Sequence, residues 1–165
     1  MNKKWVRKKI DKNIVENLAK DLGVDKIISH LLVLRGIKTF EEAEYFFRPK
    51  ISHLHDPFLM KNMSKAVARI EIAIIKQQKI LVYGDYDVDG TTSVAMMYSF
   101  LAKYSENIEY YIPCRYDEGY GISIKGIDYA YENNFSLIIA LDCGIRAVDQ
   151  VNYANKKAID FIICD

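Results

Sequence analysis

The sequence predicts an α/β fold, a parallel sheet with flanking helices, preceded by a helical N-terminal region. Two observations carry that prediction. From Lys79 onward, short apolar runs rich in β-branched residues alternate with segments of helical length and pattern. Those runs are predominantly apolar, as strands buried in a parallel sheet are. A third observation separates the ends of the chain: residues 1–78 place their apolar side chains at three- and four-residue steps.

In chain order, "KNIVENLAKDLG" (12–23) and "DKIISHLLVLRG" (25–36) read as helices that end in Gly23 and Gly36. "TFEEAEYFF" opens on Thr39 with Glu42 three residues on, a capping box, and Pro49 stops it. "SKAVARIEIAIIKQQ" is a longer amphipathic helix beginning near Ser64. The strands follow: "KILVYG" (79–84), "IEYYIP" (108–113), "SLIIALD" (136–142) and "DFIICD" (160–165). Between them "TTSVAMMYSFLAKYS", "SIKGIDYAYENN" and "RAVDQVNYANKKA" have helical length and pattern. The organisation is thus a helical region, 1–78, and an α/β region, 79–165.

Composition narrows the function classes. The 165 residues are 50% apolar, enough for a real core. Lys+Arg 23 against Asp+Glu 22 leaves a net charge of +1, so any nucleic acid must be held by a local patch. The opening "NKKWVRKK" and the helical trio Lys61, Lys65 and Arg69 are candidates, weighed against ordinary solvated charge. Three separated cysteines (Cys114, Cys143, Cys164) without C-x-x-C spacing argue for a reduced protein with no disulfide frame or zinc knuckle. No apolar run approaches the length of a membrane span or a signal h-region, so the expected location is cytoplasmic, with no membrane partner.

The chemistry lies in the acids. "KILVYGDYDVD", "LIIALD" and "FIICD" each close a predicted strand with aspartate. In open parallel sheets the ligand crevice lies outside the carboxyl ends of the strands, so Asp87, Asp89, Asp142 and Asp165 should converge on one edge. Two carboxylates about 4 Å apart repel by roughly 4 kcal/mol at an effective dielectric near 20. Such a cluster calls for cations, and all-oxygen donors suit Mg²⁺ or Mn²⁺ better than zinc.

"GDYDVDGTT" (84–92) admits three readings. As a calcium loop it places Asp85, Asp87, Asp89 and Gly90 correctly, but Met96 stands where a bidentate Glu belongs, and a strand precedes it where an EF-hand has a helix. As a phosphatase motif, "DVDGTT" fits the D-x-D-G-T-T pattern, but Gly84, Asp85 and Tyr86 separate the nucleophile from its strand. The third reading takes in more of the chain. "VYGDYDVDGTTS", "IPCRYDEGYGIS", "LIIALDCGI" and the closing "IICD", in that order, resemble the DHH phosphoesterase superfamily, most closely its RecJ-type single-strand-specific exonucleases. "LLVLRGIKTFEEAEYFF" and "LHDPFLMKNMSKAVARI" resemble that family's N-terminal region, so the resemblance runs from about Leu31 to Asp165.

The resemblance implies a two-metal 5′-to-3′ DNA exonuclease acting in repair and recombination. Mn²⁺ or Mg²⁺ would be the cofactor and single-stranded DNA the substrate, with a single-strand-binding protein and a helicase as candidate partners. Asp87, Asp89 and Asp142 would be metal ligands, with Asp142 bridging; Asp85 would be a ligand or an orienter of ligands, and Asp165 an orienter. Gly84 and Gly90 would let the backbone turn tightly around the ions, and Thr91 and Thr92 would open a helix whose N-terminus suits a phosphate. In "RYDEGYG" (115–121), Arg115 would grip a phosphate and Tyr120 stack on a base, the alternative being a glycine-rich turn with an Arg115–Glu118 pair. The chain reaches only the Asp of the Asp-His-His motif. The resemblance therefore implies an N-terminal piece, 79–165 being the first part of the catalytic domain and inactive alone. Alternatives are an oligonucleotide or cyclic-dinucleotide phosphodiesterase and a non-catalytic replication scaffold of the same fold. His53 and His55 in "SHLHD" read as a solvated loop, and Cys143 as a small buried filler.

Overall fold

The structure is a computed structural model that describes residues 4–6 and 8–165. Asn2, Lys3 and Arg7 of the basic opening lie outside the described residues. The chain forms two compact units, Met1–Asp56 and Pro57–Asp165.

In the first unit, α1 (Lys12–Leu22), α2 (Lys26–Leu34) and α3 (Phe40–Phe47) each begin where the sequence supplies a cap. Asp11 accepts from the Asn13 N–H, Asp25 from the Ile27 N–H and Thr39 from the Glu42 N–H. Glu42 returns to the Thr39 N–H, completing the expected capping box. Gly23 stops α1 in the left-handed conformation, φ 64°. Val15, Leu18, Leu32 and Val33 make this unit's small core. The Pro-containing connector forms a short 3₁₀ turn at Ile51–His53. There His53 stacks on Tyr45 at 4.1 Å and accepts from the Lys50 N–H, which commits its ring to the turn rather than to a metal pair with His55.

The second unit is a four-stranded parallel sheet in the order β2-β1-β3-β4, with β1 Lys79–Gly84, β2 Ile108–Tyr111, β3 Phe135–Leu141 and β4 Asp160–Cys164. Four helices cover it: α4 (Met63–Ile75), α5 (Val88–Leu101), α6 (Ile124–Glu132) and α7 (Val148–Lys156). Alternation explains why β1 and β3 are apolar throughout. Leu81, Tyr83, Ile138 and Ala140 point to one face, packed with Ile127, Ala130 and Ala154 of α6 and α7. Ile80, Val82, Leu137 and Ile139 point to the other, packed with Ala73 of α4 and with Val94 and Leu101 of α5.

One sequence expectation changes here. Arg69 of α4 is committed inside this unit, not to a basic patch. Its Nε donates to Asp160 at 2.6 Å, Nη1 to Gln78 at 2.9 Å and Nη2 to the Ser136 carbonyl at 3.2 Å. It ties α4 to the starts of β3 and β4. Arg69→Met should therefore destabilise the fold by about 2 kcal/mol, the loss of charge-assisted bonds to a half-buried group. Urea denaturation reads the loss. Among the described residues, no helix is long and apolar enough to cross a membrane.

Candidate metal centre

Strand register builds the site. Gly84 of β1 pairs with Leu141 of β3, and Leu141 with Cys164 of β4. The next residues on three adjacent parallel strands are thus Asp85, Asp142 and Asp165, roughly a strand spacing of 4.8 Å apart along the sheet edge. Asp87 and Asp89 join them from the helix that follows β1. Here the structure corrects the sequence reading, which set both in the strand's trailing loop. Asp87 is the N-cap of α5, its Oδ1 accepting the Gly90 N–H at 2.9 Å, and Asp89 lies in the helix's first turn. The glycines work differently from the expectation too. Neither Gly84 nor Gly90 has a left-handed φ. A Cβ on Gly90 would stand 2.5 Å from the Asp85 carbonyl oxygen, and one on Gly84 2.9 Å from that of Gly90. They are glycines because the end of β1 and the start of α5 touch.

Each carboxylate has its own setting. Asp85 is fully buried, with Oδ1 accepting from the Tyr86 N–H and Oδ2 from the Gly121 N–H, both at 2.7 Å. Asp87 Oδ2 accepts from the Tyr120 hydroxyl at 2.8 Å. The Gly90 N–H and then the Tyr120 hydroxyl hold the Asp87 carboxyl below its ordinary range, and the same bond, with burial and the nearby acids, pushes the Tyr120 phenol up to about 12. Asp165 Oδ2 accepts from the Ile145 N–H at 2.8 Å, fixing the turn after Asp142. Asp142 sits in that turn in the left-handed region, φ 55°. Burial, followed by the charges of Asp87, Asp89, Asp165 and Asp85, raises its carboxyl above the ordinary value. Buried Cys143 beside it is pushed up to about 12, by burial first and then by Asp85, Asp165, Asp142 and Asp87, so it is an inert packing thiol.

The loop 114–123 closes one side. Arg115 does not pair with Glu118; its guanidinium lies 4.5 Å over the Tyr86 ring, and Tyr86 meets Tyr120 edge-on at 5.6 Å. Glu118 instead anchors the loop, accepting from the Cys114 N–H at 2.8 Å, the Tyr111 hydroxyl at 2.9 Å and the Ser123 hydroxyl at 2.5 Å. Burial pushes its carboxyl up, but these three donors outweigh burial and leave it below its usual value. The sequence reading gave Glu118 only a surface partner; its role needed the packing of β2 against the loop. Thr91 and Thr92 are exposed on the first turns of α5, the Thr91 hydroxyl donating back to the Asp87 carbonyl at 2.7 Å.

The donor set fits a hard divalent cation: five carboxylates, with Asp142 raised by burial first and then by the other four, are chemistry that a positive ion relieves. Among the described residues, however, no three acidic, histidine or cysteine groups converge closely enough to enclose one ion.

Comparison with known proteins identifies the family. Residues 79–165 match the DHH family, N-terminal domain. The single-stranded-DNA-specific exonuclease RecJ of Bacillus subtilis (strain 168) is 41% identical over 162 residues, 98% of this chain and 21% of that protein. A crystal structure of exonuclease RecJ bound to manganese superposes with TM-score 0.59 at 30% identity, over 64% of this chain and 27% of that one. The fold is also that of RecJ from Thermus thermophilus in complex with Mn²⁺, at TM-score 0.67 and 21% identity, over 93% of this chain and 21% of that one. The chain spans only about a fifth to a quarter of these proteins. The acid-tipped strands β1, β3 and β4 all fall inside the matched residues: the chain belongs to the DHH family.

Proposed function

We propose that residues 1–165 are the N-terminal part of a RecJ-type, metal-dependent exonuclease that degrades single-stranded DNA from the 5′ end in repair and recombination, with 79–165 the first part of its catalytic domain. One observation carries the reading: register sets Asp85, Asp142 and Asp165 side by side at the strand ends, with Asp87 and Asp89 at the mouth of α5. Asp87, Asp89 and Asp142 would hold the metal. Asp85, with both oxygens on backbone N–H groups, and Asp165, with Oδ2 on one, would orient the segments that carry them. Two Mn²⁺ or Mg²⁺ ions held there would supply water activation and charge stabilisation at the leaving oxygen of a phosphodiester.

The residues of this chain supply the rest. The exposed guanidinium of Arg115, braced on Tyr86, offers two donors to a backbone phosphate. The ring of Tyr120 offers a stacking face, and Thr91 and Thr92 flank the start of α5, where a phosphate is favoured. Single-stranded DNA is the proposed substrate, a single-strand-binding protein and a helicase the proposed partners, and the cytoplasm the proposed location.

The test is release of mononucleotides by the full-length protein from single-stranded DNA labelled at either end. Activity should require Mn²⁺ or Mg²⁺, vanish in EDTA and return on adding the metal. It should also start at the 5′ end and spare duplex DNA. Equal activity in EDTA would overturn the metal assignment. Residues 1–165 alone should fold and yet release no nucleotides, because among the described residues no three possible ligands converge on one ion.

A further inference from the structure

Tyr120 was read from the sequence as a base-stacking ring, but its hydroxyl is not facing a solvent-side ligand. It donates to Asp87 Oδ2 at 2.8 Å, while the Gly90 N–H holds Oδ1 at 2.9 Å. With one donor on each oxygen, the plane of the Asp87 carboxylate is set from both sides.

The loop that presents Tyr120 is itself fixed at two places. Glu118 binds it to Tyr111, Ser123 and the Cys114 N–H, and the next residue after Tyr120, Gly121, donates its N–H to buried Asp85 at 2.7 Å. The Tyr83 hydroxyl, buried in the sheet core, adds a bond to the Gly121 carbonyl at 2.9 Å. The phenol is therefore delivered to Asp87 by a rigid frame rather than by a mobile tip. Adjacent residues of one loop, Tyr120 and Gly121, grip two aspartates of "GDYDVDG".

We infer that Tyr120 is a positioning residue of the metal centre: its hydroxyl orients Asp87, while its ring is left to the substrate. The inference rests on the reading of Asp87 as a metal ligand, and the test separates the two. Groups that orient a ligand from outside typically change metal affinity by about 10- to 100-fold when removed.

The experiment compares wild type, Tyr120→Phe, Tyr120→Leu and Asp87→Asn in the full-length protein. Mn²⁺ affinity is measured by calorimetry and by the spin-resonance signal of free Mn²⁺. Affinity for single-stranded DNA is measured by anisotropy in EDTA. Tyr120 is 63% exposed, so neither replacement threatens the core. Tyr120→Phe should weaken Mn²⁺ binding about tenfold and leave DNA affinity in EDTA unchanged, since the ring remains. Tyr120→Leu should weaken both. Wild-type or tighter Mn²⁺ binding by Tyr120→Phe, with Asp87→Asn defective, overturns the positioning role alone. Unchanged Mn²⁺ binding by Asp87→Asn overturns the metal reading and this inference with it.

Discussion

Asp142→Asn in the full-length protein should cut nucleotide release by about 10³-fold or more, because the proposed bridging carboxylate is worth several kcal/mol of charge stabilisation in the transition state. The same substitution should raise the thermal midpoint of the metal-free protein at neutral pH. The Asp142 carboxyl is raised in the fold, by burial first and then by Asp87, Asp89, Asp165 and Asp85. Its charged form is therefore less favourable folded than unfolded. That penalty is fully present above the raised folded value and disappears as the pH falls through it and past the ordinary value. Asparagine removes the penalty at every pH. Asparagine is also the right replacement in backbone terms: at φ 55° it sits comfortably, whereas Asp142→Ala would add strain of about 1 kcal/mol. Thermal melts in EDTA across pH, run beside the nuclease assay, give both readouts. A folded Asp142→Asn protein with near-wild-type turnover would exclude this residue from the site.

Gly90→Ala should be the most destabilising single-methyl addition near the site, at about 3 kcal/mol. The new Cβ would lie 2.5 Å from the carbonyl oxygen, 2.7 Å from the nitrogen and 2.9 Å from the carbonyl carbon of Asp85. All three are backbone atoms, so no side chain can rotate away. Relief requires α5 to back off the end of β1. That movement would also break the Asp87 cap on the Gly90 N–H and shift Asp87 and Asp89 together. Chemical denaturation should show the loss of stability, and Mn²⁺ titration a parallel loss of affinity. An alanine variant as stable as wild type would mean that the strand and helix do not touch as described.

What the sequence revealed and what it hid divide along a physical line. All four strands were legible, the inner pair β1 and β3 most plainly, because burial on both faces writes a nearly unbroken apolar run. The capping box of α3 and the Gly23 stop of α1 were legible from local signals, and so was the acid-tipped sheet edge, since strand-end aspartates need only parallel register to meet. The start of α5 was misplaced by three residues because Asp87 reads as part of an acidic loop, while structurally it caps the helix. The contacts of loop 114–123 were hidden altogether. Nothing near Tyr120 in sequence points to Asp87, 33 residues away, and Arg115 beside Glu118 suggests a pair until Tyr86 offers its ring. Arg69 was mistaken for surface charge because its three partners lie on separate segments.

The strand order has a consequence for how the molecule is made. β1 is the first strand synthesised, yet it lies inside the sheet, hydrogen-bonded to β2 on one side and β3 on the other. While residues 85–134 are being added, one flank of "KILVY" must wait open. At a synthesis rate of roughly 5–20 residues per second, that wait lasts several seconds. An apolar, β-rich segment with a free edge is the kind that pairs with copies of itself. Late-arriving partners also place such sheets among the slower-folding topologies. Yield in a cell should therefore depend on translation speed between β1 and β3: synonymous codons that stall the ribosome there would send nascent chains into aggregates without altering a single residue of the finished protein.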